Sequence, residues 1–147
     1  MVETYRILCV CLGNICRSPS AEAVLRKLVP HAQIDSAGTG GWHIGDPPYG
    51  PAAQAAQARG YDMAHMQARQ VQVEDFERFD LILAMDRQNL SDLAAMAPAD
   101  HRAELALYLG LLSDAPKDVP DPYYTRDFDA ALDLIERGAQ AWADMLP

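Results

Sequence analysis

The sequence predicts an α/β fold: a single-domain, doubly wound, four-stranded parallel sheet flanked by helices on both faces. Three observations carry this. Four short apolar runs rich in strand formers alternate with segments of helical period, the pattern of a parallel sheet with crossover helices. The 147 residues suit one domain, 1–147, large enough for a real core. No internal repeat or low-complexity linker divides the chain.

The first run, Tyr5-Arg6-Ile7-Leu8-Cys9-Val10, reads as a buried parallel strand. After the next eight residues, Pro19 suits the first turn of a helix, and 20–29 place Val24, Leu25, Leu28 and Val29 at helical spacing. The intervening Cys11-Leu12-Gly13-Asn14-Ile15-Cys16-Arg17-Ser18 therefore joins the C-terminal end of a strand to the N-terminal end of a helix, where ligands bind in open α/β sheets. Its residue types suit a dianion. Gly13 and Asn14 both tolerate the left-handed conformation, so successive N–H groups can turn inward. The helix N-terminus adds partial positive charge, and Arg17 adds a fork that matches two phosphate oxygens. Cys11 at the floor of such a cup is favoured as a thiolate, with Ser18 placed to donate to the sulfur. A nucleophile held this way needs no general base.

Residues 33–37 read as a second strand, followed by a loop over 38–48 that carries Trp42, His43, Gly45 and Pro47-Pro48, too many breakers for an element. An alanine-rich helix is expected over 51–59 with Gly60 as its C-terminal cap, and a short amphipathic helix over 73–79. The run 80–85 is the clearest remaining strand. Asp86 stands at the same sheet edge as Cys11, in position to cap a helix over 87–97. A fourth strand is expected over 103–109, a loop over 114–125, and a final helix over 128–145. That helix would face the core with Phe128, Ala131, Leu132, Ile135, Ala139 and Trp142.

Val10 to Pro19, continuing to Ala21-Glu22, resembles the phosphate loop of the low-molecular-weight protein tyrosine phosphatases, and later matches in the same order extend the resemblance over essentially the whole chain. The resemblance implies a phosphotyrosine hydrolase in which Cys11 attacks phosphorus. Arg17 and the loop residues Leu12, Gly13, Asn14, Ile15, Cys16 and Ser18 would hold the phosphate. Asp121, in Asp121-Pro122-Tyr123-Tyr124, would protonate the leaving phenolate and then activate water. Asp118 is a second carboxylate nearby, without the motif around it. Trp42, Tyr123 and Tyr124 would flank the substrate ring, and a phosphoserine stem is too short to reach so deep a nucleophile. The resemblance further implies support roles for Ser36, for His65 in a network with Ser36 and Asn14, and for Asp86 bracing Arg17. It implies redox protection of Cys11 by Cys16. It implies no cofactor, and as partner a phosphotyrosine protein, such as the tyrosine autokinases that bacterial members often oppose.

The net charge of −9 argues against nucleic acid or anionic membrane as a partner, so any anion site works against the overall field. The three cysteines, at 9, 11 and 16, are too few and too clustered for a disulfide framework, which points to a reducing, cytoplasmic compartment. Cys9 and Cys11 share one strand face, yet no second ligand pair follows, so no metal is expected. The start lacks a basic leader, and no apolar run approaches the ~20 residues of a membrane span. Arsenate reduction on the same fold would need distal resolving cysteines, and none follows Cys16. A protein-arginine phosphatase typically carries Thr where Ile15 stands. A non-catalytic phosphotyrosine-binding module is the remaining alternative, and occupied catalytic positions weigh against it. A nucleotide-binding P-loop is excluded, because no Gly-Lys-Ser/Thr follows Gly13.

Overall fold

The computed structural model describes residues 4–146. The ends of the expected 1–147 domain, and the first residues on which the leader reading rests, lie outside that range. The elements run β1 (Arg6–Cys11), α1 (Arg17–Leu28), β2 (Gln33–Gly38), α2 (Gly50–Ala58), α3 (Asp75–Arg78), β3 (Leu81–Ala84), α4 (Arg87–Met96), β4 (Glu104–Leu107), α5 (Pro122–Thr125) and α6 (Phe128–Met145). All four strands are parallel, in the order β2-β1-β3-β4.

Side chains alternate across the sheet, as the period of a strand demands. Ile7, Cys9 and Cys11 of β1 with Leu81 and Leu83 of β3 face one core, completed by Val24 and Leu25 of α1 and by Ala131, Ile135, Ala139 and Trp142 of α6. Leu8, Val10, Ile82 and Ala84 face the other, against Phe76 of α3 and Leu93 of α4. Helices thus cover both faces. On α6, a Cβ at Gly138 would come within 2.6 Å of the Tyr108 ring, so only glycine lets the helix settle there. Tyr108 and Trp142 then satisfy their polar atoms on the backbone carbonyls of Ile135 and Tyr108, each at 2.8 Å. Among the described residues no helix is long and apolar enough to cross a membrane.

Two elements differ from expectation. The helix expected over 73–79 shrinks to one turn. Asp75 turns back to accept from the Gln72 N–H at 2.8 Å, and Phe79 is already extended. The expected loop before α6 contains α5, begun by Asp121 as cap and Pro122 in its first turn. Gly60, at φ +86°, follows α2 in the left-handed conformation that ends so many helices.

Candidate active site

The end of β1 delivers Cys11 to the floor of a pocket of about 280 Å³, 3% exposed. Leu12, Gly13, Ile15, Cys16 and Arg17 form one wall; Trp42 and His43 form the second, and Asp121, Tyr123 and Tyr124 the third. The Cys11 sulfur has two partners, the Asn14 N–H at 3.2 Å and the Ser18 hydroxyl at 3.0 Å. Asn14 sits at φ +58°, the left-handed turn that brings its N–H back onto the sulfur. Gly13, which tolerates that conformation too, does not adopt it. Its lack of a side chain serves proximity, since a Cβ there would lie 3.2 Å from the His43 ring. Beneath the loop, a Cβ on Gly38 would meet the Leu12 carbonyl at 2.7 Å, so glycine is required where β2 passes under it.

A buried polar chain fixes the loop. Asn14 Oδ1 accepts from the Arg69 N–H at 3.0 Å, which sets the amide's orientation. Its Nδ2 then donates to Ser18 Oγ at 2.8 Å and Ser36 Oγ at 3.0 Å. Ser36 in turn donates to Glu22 Oε1 at 2.7 Å. Ser18 accepts from Asn14 and so has its own proton to donate, with the Cys11 sulfur at 3.0 Å and the Ala37 carbonyl at 3.4 Å within reach. His65 has no part in this: its side chain is 93% exposed and its neighbour is Asp62 at 3.8 Å. The Asn14 side chain bonds instead to Ser18, Ser36 and the Arg69 backbone, and the Ser36 hydroxyl to Glu22. The support role expected of His65 falls instead to Glu22 and the Arg69 backbone.

Burial pushes the Glu22 carboxyl up, against the pull of Ser36 and of Arg26, whose guanidinium lies 2.6 Å away. A carboxyl raised in the folded state contributes stability that is present below the ordinary glutamate range and lost as pH rises through the raised value. Relative to Glu22→Gln, the wild type should therefore lose stability as pH rises above about 4.5. Urea unfolding of both proteins across a pH series reads this directly, and a difference moving the other way would contradict it.

Arg17, at the start of α1, is 3% exposed. Burial alone would weaken its charge, but Cys11, Asp86 and Asp121 outweigh that and hold the guanidinium firmly protonated. Nη1 donates to Asp86 at 2.7 Å and to the Val119 carbonyl at 2.9 Å, while Nη2 lies 3.5 Å from Asp121. Asp86 uses its other oxygen to cap α4 at the Asn89 N–H, 2.7 Å away. One carboxylate thus starts a helix and orients the arginine. Asp118 points elsewhere, clasped by Arg87 through backbone and side chain, and those hydrogen bonds hold its carboxyl below the usual range. Cys16 lines the same pocket with its thiol pushed up to about 12, chiefly by burial and then by Asp121 and Cys11. Burial raises Cys9 well above the ordinary thiol range.

The family model for low molecular weight phosphotyrosine protein phosphatase matches residues 6–147. The chain belongs to that family. The low molecular weight protein-tyrosine-phosphatase YfkJ of Bacillus subtilis is 42% identical over 141 residues, covering 91% of this chain and 90% of the relative. The human low molecular weight phosphotyrosine protein phosphatase is 43% identical over 134 residues, covering 86% and 84%. The crystal structure of YfkJ superposes with a TM-score of 0.90 at 38% identity over 98% of this chain and 95% of that one. Vibrio vulnificus Wzb in complex with benzylphosphonate gives 0.89 at 35% identity over 98% and 100%. The protein is thus a protein-tyrosine phosphatase, an enzyme on a fold it shares throughout.

Residues that the sequence reading passed over take part in the phosphatase's pocket. His43, hydrogen-bonded to Asp46 at 3.2 Å, lines the pocket beside Trp42; the sequence assigns a pocket role to Trp42 and marks His43 only as part of the loop. Tyr49 and Arg126 join the walls to one another. Nothing in their local sequence signals that, because the contact crosses 77 residues of chain.

Proposed function

We propose that the phosphatase hydrolyses protein phosphotyrosine in two steps, with Cys11 as nucleophile. The observation that carries the assignment of roles is the convergence, in one pocket, of a buried cysteine sulfur, an arginine guanidinium and an aspartate from opposite ends of the chain. Cys11, as thiolate, attacks phosphorus in line, displacing the tyrosyl oxygen and forming a cysteinyl phosphate. Arg17 and the N–H groups of residues 12–18 bear the charge on the equatorial oxygens. Asp121 gives its proton to the departing phenolate, then takes one from the water that releases phosphate, regenerating the thiolate. Trp42, Tyr123 and Tyr124, all exposed at the mouth, suit an aromatic ring on its way down, and Ile15 adds an apolar wall. The benzylphosphonate held by the Vibrio vulnificus relative combines the same two chemical parts, a ring and a phosphorus dianion.

The natural substrate is a tyrosine-phosphorylated protein, with a tyrosine autokinase as one candidate, and three unpaired cysteines at 9, 11 and 16 suit a reducing compartment. Cys16 is the group to trap an oxidised Cys11 as a disulfide, sharing its pocket while remaining a protonated, unreactive thiol during hydrolysis.

The test of the acid is Asp121→Ala. Its kcat/KM on phosphotyrosine peptides should fall by about 10²-fold, the lower range for proton transfer, while p-nitrophenyl phosphate, whose phenolate leaves unaided, should lose far less. Equal losses on both substrates would remove Asp121 from the role.

A further inference from the structure

Arg126 ends α5 in the left-handed conformation, φ +65° and ψ +9°, where glycine or asparagine is the usual occupant. A long side chain is retained there at a cost in backbone strain, and its contacts show what offsets that cost. Nη1 donates to the Tyr49 hydroxyl at 2.8 Å. The guanidinium lies over two rings, 5.3 Å from the centre of Tyr49 and 5.4 Å from that of Phe128. Tyr49 is itself tied to the phosphate loop, its N–H donating to the Ile15 carbonyl at 2.9 Å, and its ring meets Tyr123 at 5.2 Å. On the other side, the Arg126 N–H closes α5 on the Pro122 carbonyl at 2.9 Å, one residue from Asp121. A continuous set of contacts thus runs from the loop that holds Cys11, through Tyr49 and Arg126, to the segment that holds Asp121.

We propose that Arg126 is a positioning residue for the reaction: by clamping α5 onto Tyr49 it sets the distance of the Asp121 carboxyl from the leaving oxygen above Cys11. The proposal rests on Asp121 being the proton donor. Arg126 is not among the residues that line the pocket; it acts through where it holds the acid. A misplaced acid penalises substrates that need protonation and spares those that do not, whereas a damaged pocket penalises all alike.

The experiment is a leaving-group series of aryl phosphates, from p-nitrophenyl phosphate to phosphotyrosine peptide, read as kcat/KM. Arg126→Asn keeps a residue that tolerates the left-handed backbone but removes the reach to Tyr49. It should lower kcat/KM about tenfold on phosphotyrosine and less than about twofold on p-nitrophenyl phosphate, a fraction of the full contribution of an acid. Tyr49→Phe, which keeps the ring and loses the hydroxyl, should do the same more weakly, and Arg126→Lys should recover part of the loss. The double variant Arg126→Asn/Tyr49→Phe should match Arg126→Asn alone, because the Tyr49 hydroxyl acts through its hydrogen bond to Arg126. Asp121→Ala is run alongside. Should it fail to steepen the leaving-group dependence, the acid assignment falls, and the proposal with it. Should it steepen the dependence while Arg126→Asn loses equally on every substrate, or not at all, the positioning role alone is overturned.

Discussion

Cys11→Ser should abolish turnover, by on the order of 10⁴-fold or more, while leaving a folded protein that still binds phosphotyrosine peptide. The two hydrogen-bond partners of the sulfur are the Asn14 N–H and the Ser18 hydroxyl, and neither is a base. A thiol needs none, because its ordinary pKa lies within reach of neutrality, but a serine hydroxyl there would meet, among the described residues, only these two non-basic partners. The shorter oxygen also retreats from the phosphorus. Stability should change little: the position is 3% exposed and a hydroxyl can keep both partners. Steady-state rates, thermal unfolding and peptide affinity together check the expectation, and activity within tenfold of wild type would sink the nucleophile.

Arg17→Lys should be nearly as severe, lowering kcat/KM by about 10²–10³-fold, as for loss of a single preorganised oxyanion donor. The guanidinium serves Asp86, the Val119 carbonyl and Asp121 from one planar group, and an ammonium has neither the span nor the fork to do so. The variant also leaves Asp86 short of its partner. Asp86→Asn separates the two duties of that residue. Asparagine still caps α4 but no longer carries the charge that orients Arg17, so the loss should be smaller, about tenfold, with little change in stability. Inorganic phosphate affinity should fall with both. Unchanged affinity in Arg17→Lys would contradict the clamp.

What was legible in the sequence follows from the range of the interactions involved. The strands and the phosphate loop were readable because their signals are local: an apolar run, a glycine-asparagine turn, an arginine at the start of a helix. Asp86 was readable in both its roles, one from its place before α4 and the other from the resemblance. The short α5 was missed although its Asp-Pro start was visible, because four residues give a helical period no length to show itself. His65 was misjudged for a different reason. A histidine near the right position in the chain was given a place in a network that Glu22 had already filled from α1. Its buried carboxylate advertises nothing locally, and only the parallel pairing of β1 with β2 brings Ser36 within reach of it. Arg126 and Tyr49 were invisible for the same reason.

The nucleophile sits at the end of a central strand whose residues 7–10 are fully inaccessible, whereas the acid sits on a single helical turn whose two tyrosines are open to solvent. Local opening of α5 breaks few buried contacts, but moving Cys11 means parting β1 from both its neighbours, which is close to global unfolding. Mutational damage should therefore divide along the same line. Changes that disturb the packing of β1 surface as lost folded protein as well as lost rate, whereas changes around Asp121, like the size-conserving Cys11→Ser, surface in rate alone. The acid side is thus free to diversify without endangering the fold, and the nucleophile side is not.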